Sequence, residues 1–299
     1  MQTLCAGNRR APQLLLRRIA TAATVMALMT ATACTTPRLE GRDEAERAVS
    51  PCESAITSAM AADTIIASGI PTLMTYDATL EARDAWLDTA VQCPTRFGEG
   101  VMRAARMAVT AQRLGETFGG ADTDPGWSTS GITSLDSATH QSALNELVDV
   151  ADAALAEDKA GFALEVLAAQ GAEGASLQSS DSHKAAAQML ASIGDDDPRQ
   201  GVYDVTALLA HLTNATDNST GLRAPTSAIV QMDAARALID AAATRSDNAA
   251  STDDTTTIDR DIIDEAWRAY AIQAADNARQ AFLAGFPMTD EAIFTSPDN

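Results

Sequence analysis

Along most of the chain, apolar residues recur every three or four positions, and the strict alternation of a half-buried strand is nearly absent, so the pattern predicts helices. Ser50-Pro51-Cys52-Glu53 places a capping serine, a proline for the first turn and an acid three residues on. That starts a helix at Pro51, and Gly69 and Pro71 stop it near Ser68. The spacing predicts a second helix from after Asp77 to Cys93, where Pro94 ends it. A third fits Arg96 to Phe118, with Thr95 as its cap and Gly119-Gly120 as its stop. A stretch rich in Gly, Asp, Ser and Thr follows over residues 120–138, and Trp127 within it reads as a plug over a core.

Beyond it come longer patterns. Leu144, Val148, Ala151, Leu155, Asp158, Phe162, Glu165 and Ala169 advance in steps of four and three, a heptad seam that predicts one helix over Thr139 to Gln170. Further helices are expected over Ser182–Ile193, Pro225–Arg245 and Asp259–Ala284. The last carries Ile263, Trp267, Tyr270, Ala274, Asn277 and Ala281 on the same rhythm. A shorter segment, Val202 to Leu212, bridges the second and third of these patterns. Asn214–Gly221 and Ser246–Thr256 read as polar, mobile linkers, in which the sequon-like Asn214 and Asn218 mark exposed loop. The fold class expected is all-α: a three-helix unit over 50–119, a linker loop over 120–138, a helical bundle over 139–286 and a tail over 287–299.

Composition agrees with helices: alanine is abundant and aromatics are 4%. The first 33 residues stand apart. Arg9, Arg10, Arg17 and Arg18 are followed by an apolar run from Ile19 to Met29, about the length of a signal-peptide core and short of the ~20 residues of a membrane span. Ala31-Thr32-Ala33-Cys34 then resembles the lipobox of bacterial lipoproteins, with Ala31 where leucine is commoner. The resemblance implies a signal peptide over 1–33, cleavage before Cys34, a diacylglyceryl or palmitate-type lipid on that thiol, and a place on the extracytoplasmic face of the cell membrane. Residues 34–49 would then be a polar tether. A secreted protein in which Cys34 is incidental is the alternative. The paired arginines lack the hydrophobic pair of a twin-arginine signal.

Charge narrows the partners. Removing the four signal arginines from 21 basic residues, with all 41 acidic ones kept, moves the net charge from −20 to −24. Such a surface disfavours nucleic acid and anionic headgroups, and points to a protein partner with a neutral or basic surface.

With Cys5 in the signal and Cys34 lipidated, Cys52 and Cys93 remain. Two antiparallel helices would bring them to one end of a hairpin. A disulfide there closes a loop of about 40 residues, worth ~4 kcal/mol on the chain-entropy estimate. Two buried free thiols are the alternative.

Three short blocks carry a further resemblance: Ala156-Glu157-Asp158-Lys159-Ala160, Ser180-Asp181-Ser182-His183-Lys184, and Asp197-Pro198-Arg199 leading to Tyr203. They look like landmarks of a ferritin-like four-helix domain that occurs in lipoproteins of high-GC Gram-positive bacteria, over about half the chain. That resemblance implies a bundle and no settled activity. A ferritin-like metal centre draws a Glu from each of two helices and a Glu-x-x-His from each of the others. No Glu-x-x-His occurs, and the only partial metal constellation is Glu157, Asp158, Glu165 and His183. Acids on an apolar seam are costly without cations, hydrogen bonds or water. Either they bind a metal, or the helix is rotated and they lie at a wet edge beside Lys159 or arginines. No nucleophile elbow, phosphate loop, dinucleotide fingerprint or zinc spacing is present. The reading is a non-enzymatic interaction or structural lipoprotein, with no cofactor beyond the lipid; a ferritin-like metal-binding protein is the alternative.

Overall fold

The computed structural model describes residues 49–119, 127, 131–249 and 259–294. The signal, Cys34 and most of the tether lie outside the described residues, as do 120–126, 128–130 and the end of the tail. Among the described residues helix dominates, with a single two-stranded sheet. The all-α expectation holds.

Helix α1 (Pro51–Ala67) begins as the sequence indicates: the Ser50 hydroxyl accepts from the Glu53 N–H, and proline occupies the first turn. Gly69, at φ 74°, turns the chain, and α2 (Thr72–Gln92) starts directly after Pro71, a turn and a half before the expected Asp77. Pro94–Arg96 form a 3-10 turn leading into α3 (Phe97–Thr117), so Thr95 is not a side-chain cap. The α2–α3 crossing is close because Gly100 has no side chain: a Cβ there would lie 2.5 Å from the Ala90 backbone nitrogen. The Cys52 and Cys93 sulfurs stand at disulfide distance, 2.13 Å, with their Cα atoms 4.9 Å apart.

The helix expected over Thr139–Gln170 is two helices, α4 (Ala138–Leu147) and α5 (Val150–Ala169). Between them Val148 is extended and buried, the Asp149 carboxylate caps the Asp152 N–H at 3.1 Å, and the Asp149 N–H donates to the Ala241 carbonyl at 3.2 Å. The break forgoes the helical bonds of the N–H groups of residues 149–152, and the Ala241 carbonyl and the Asp149 carboxylate replace two of them. The break also re-phases α5. Its buried face is Val150, Ala153, Ala154, Glu157, Ala160, Gly161, Leu164 and Leu167. Most of these stand one position before the expected seam.

Helix α6 (Leu177–Ile193) starts earlier than Ser182, because Ser176 and Ser179 cap each other reciprocally. The Val202–Leu212 segment contains only the short α7 (Thr206–Ala210). Asn214–Gly221 belongs to a hairpin of β1 (Asn214–Thr216) and β2 (Arg223–Pro225), antiparallel with Ala215 opposite Ala224. The buried Asp217 fixes its turn by accepting from Ser219 N–H at 3.3 Å and from the Thr220 hydroxyl, and it takes Arg236 Nη1 at 3.0 Å. Helix α8 (Thr226–Ala249) follows, then α9 (Arg260–Leu283), capped by Asp259.

The expected boundary at 120–138 does not divide the core. Helix α9 packs against α2, α3, α4 and α8, and residues 50–299 form one compact unit. Phe97 of α3 lies 4.6 Å from Trp267 between ring centroids, and the Trp267 indole N–H donates to the Ala90 carbonyl. The tail returns too: Ile293 is buried, and Phe294 lies under Arg103 and Arg106.

Candidate functional site

Where α5, α6, α8 and α9 meet, five polar side chains occupy an otherwise apolar interior. Glu157 is fully buried on α5, His183 is 3% exposed on α6, Gln231 lies on α8, and Gln273 and Asn277 lie on α9. His183 Nδ1 meets Glu157 Oε2 in a very short contact, and its Nε2 meets Gln231 Oε1 at 2.7 Å. The other carboxylate oxygen of Glu157 accepts from Asn277 Nδ2 at 2.9 Å and Gln273 Nε2 at 3.2 Å. Every polar atom of the carboxylate is thereby matched, which is what lets a charge remain inside. Burial alone would lower the His183 pKa, but the Glu157 carboxylate, its hydrogen bond, the Gln231 oxygen and the field of Asp276 together raise it above 6.5. Both ring nitrogens face acceptors, so the favoured form is the imidazolium.

Of the four residues expected as a metal set, the fold brings only Glu157 and His183 together. Asp158, on the adjacent face of α5, accepts from the Tyr203 hydroxyl at 2.6 Å and from the Gln200 N–H at 3.2 Å. Burial, together with this bond to Asp158, pushes the Tyr203 phenol up to about 12. Glu165 is exposed and paired with Lys184 rather than Lys159. No group of three His, Cys, Asp or Glu gathers as a cation site among the described residues. One carboxylate and one imidazole, each already engaged by protein partners, make a weak donor set for iron or manganese. No sequence pattern marks Gln231 or Gln273 as part of the cluster, whereas Asn277 stands out as the one amide on the apolar rhythm of α9.

A second feature opens on the surface between α5 and α8. A groove of about 520 Å³ has alanines along both walls, among them Ala156, Ala160, Ala234 and Ala237. Asp152, Asp233, Asp240 and Lys159 supply its polar groups. The protein packed around Asp233, with Asp217 adding to the effect against the opposing Arg236, raises its carboxyl to about 6; desolvation also raises Asp240. A groove of this size with convergent acids on small-residue walls suits a slender ligand carrying positive charge. Nothing in the sequence pattern signals it, because its residues come from helices some 80 positions apart.

Comparison of the chain with protein-family models, with curated proteins and with solved structures gives no match.

Proposed function

We propose that this chain is a lipid-anchored, extracytoplasmic module without an enzymatic role, which binds a neutral or basic protein surface. The lipobox-like Ala31-Thr32-Ala33-Cys34 supports the anchor. No helix among the described residues is long and apolar enough to cross a membrane. The binding part rests on one observation: the α5–α8 groove places Asp152, Asp233 and Asp240 around alanine walls in a strongly acidic chain. Asp233 and Asp240 are exposed to an arriving cation, Asp233 standing beside Arg236 at 3.4 Å. Titration of an oligolysine hexapeptide at low salt tests this. The variant Asp233→Asn/Asp240→Asn should weaken binding at least five-fold, whereas Asp195→Asn/Asp196→Asn, an equal charge change on an exposed loop, should not. Equal effects would reduce the binding to bulk charge and sink the assignment.

A ferritin-like bundle is the finer reading for α5, α6, α8 and α9, supported by the meeting of Glu157 with His183 and, on the adjacent face of α5, of Asp158 with Tyr203. A metal at Glu157 and His183 is the second reading of function, favoured only by their meeting at the centre of these helices. Stoichiometric iron, manganese or zinc in protein from its own host, lost on His183→Ala, would promote it over the first.

A further inference from the structure

We infer that the bend between α1 and α2 is a membrane-dipping tip that inserts shallowly into an uncharged lipid surface. From Thr64 to Tyr76, thirteen consecutive residues carry no charged or histidine side chain, in a chain that is 21% Asp, Glu, Lys and Arg. The same stretch exposes large apolar groups: Ile65 is 45% exposed, Leu73 60% and Met74 56%. All three lie within a turn or so of the bend at Gly69. The end of α3 adds Phe118, 49% exposed, its ring 6.2 Å from that of Tyr76. An apolar cluster left in water at a helix end is unfavourable unless something covers it part of the time.

The chain upstream indicates what covers it. It joins the described unit at Val49, fifteen residues from Cys34, and a span of that length reaches at most about 50 Å. Helix α1, with 17 residues, is about 25 Å long. Its far end is therefore within reach of the membrane that would hold Cys34. The inference leans on the lipid-anchor reading for this local concentration only. The acids proposed to recognise a basic protein surface lie in the groove and none lies in this tip, whereas acyl chains need no charge. Asp63 and Asp77 bracket the stretch about two turns behind the bend, and Asp63 is engaged by the Trp86 indole at 3.2 Å, so insertion stops near the headgroups. The acidic body also sets the lipid: a neutral surface is favoured and an anionic one is not.

The test uses residues 50–299, the compact unit, which lacks Cys34 and so does not depend on lipidation. Flotation with vesicles of pure phosphatidylcholine should recover the unit, and Leu73→Asp/Met74→Asp should lower that recovery at least ten-fold. Both side chains already face water, so the unfolding temperature should not change. Leu73→Ser/Met74→Ser, which adds no charge, should also lose binding; a loss confined to the Asp variant would mean charge repulsion and overturn apolar insertion. Equal flotation of parent and both variants would overturn it as well. So would a concentration-dependent dimer that the variants abolish without vesicles, since a second copy would then cover the tip.

Discussion

His183 on α6 and Glu157 on α5 share a very short hydrogen bond in the interior of the protein, with the free edge of each held by an amide from another helix. Four helices are tied at one point by a charge pair that cannot reach water. Removing either partner leaves the other buried without its counter-charge, whereas removing both would leave mainly a packing defect and the amides Gln231, Gln273 and Asn277 to re-pair. Such a pair fixes which helix faces meet more than it adds net stability.

The pair gives stability a pH dependence of definite sign. The folded pKa of His183 lies above its ordinary 6.5, so its contribution is complete below about 6.5 and is lost as pH rises through the folded value. His183→Gln keeps hydrogen-bonding capacity but cannot take the proton. The difference in urea midpoint between parent and variant should be largest near pH 6 and shrink steadily above it. A difference that grows with pH would show that the histidine is buried neutral.

How much of this could be read from the sequence depends on where each instruction is written. The start of α1 is local: a serine, a proline and an acid in four residues, and the structure follows them. The break between α4 and α5 is not. Asp149 within an apolar rhythm looks like any solvent-facing acid until Ala241, some 90 residues on, supplies the carbonyl for its N–H. Missing that one bond rotates the expected face by a residue, turning Asp158 and Glu165 inward on paper while Glu157 is the acid inside. The blocks around Glu157 and His183 do come together, and Tyr203 reaches the neighbouring Asp158. The amides that complete the cluster come from α8 and α9, and no spacing rule connects them to α5.

Helix contacts offer a sharper test of packing. Gly100→Ala should gain about 1 kcal/mol of helix propensity, yet the new Cβ would lie 2.5 Å from Ala90 N and 2.8 Å from its Cα. Backbone cannot step aside cheaply, so a net loss of about 2 kcal/mol or more is expected from forced separation of α2 and α3. Gly161→Ala meets the Lys184 side chain at 2.8 Å and the Ser180 carbonyl at 3.1 Å. The lysine stem can swing away, so the loss there should be smaller. Urea unfolding of both variants decides it, and a reversed order would mean that α2 and α3 are free to part.

The Cys52 and Cys93 sulfurs stand at disulfide distance between the first turn of α1 and the end of α2, residues 41 apart in sequence. The α1–α2 hairpin hangs on the rest mainly through α2, since α1 packs chiefly on α2. Without a covalent tie, α1 holds to α2 mainly through small buried side chains, Ala55, Ala59 and Ala62, which bury little area each. The chain-entropy estimate for a loop of this length is ~4 kcal/mol. Cys52→Ser/Cys93→Ser should therefore lower unfolding free energy by a few kcal/mol. Hydrogen exchange should also rise first in α1, ahead of α3 and α9. Thiol titration of denatured residues 50–299, which hold no cysteine but these two, gives the independent check: neither should react until a reductant is added. Two reactive thiols would mean that α1 is held by packing alone.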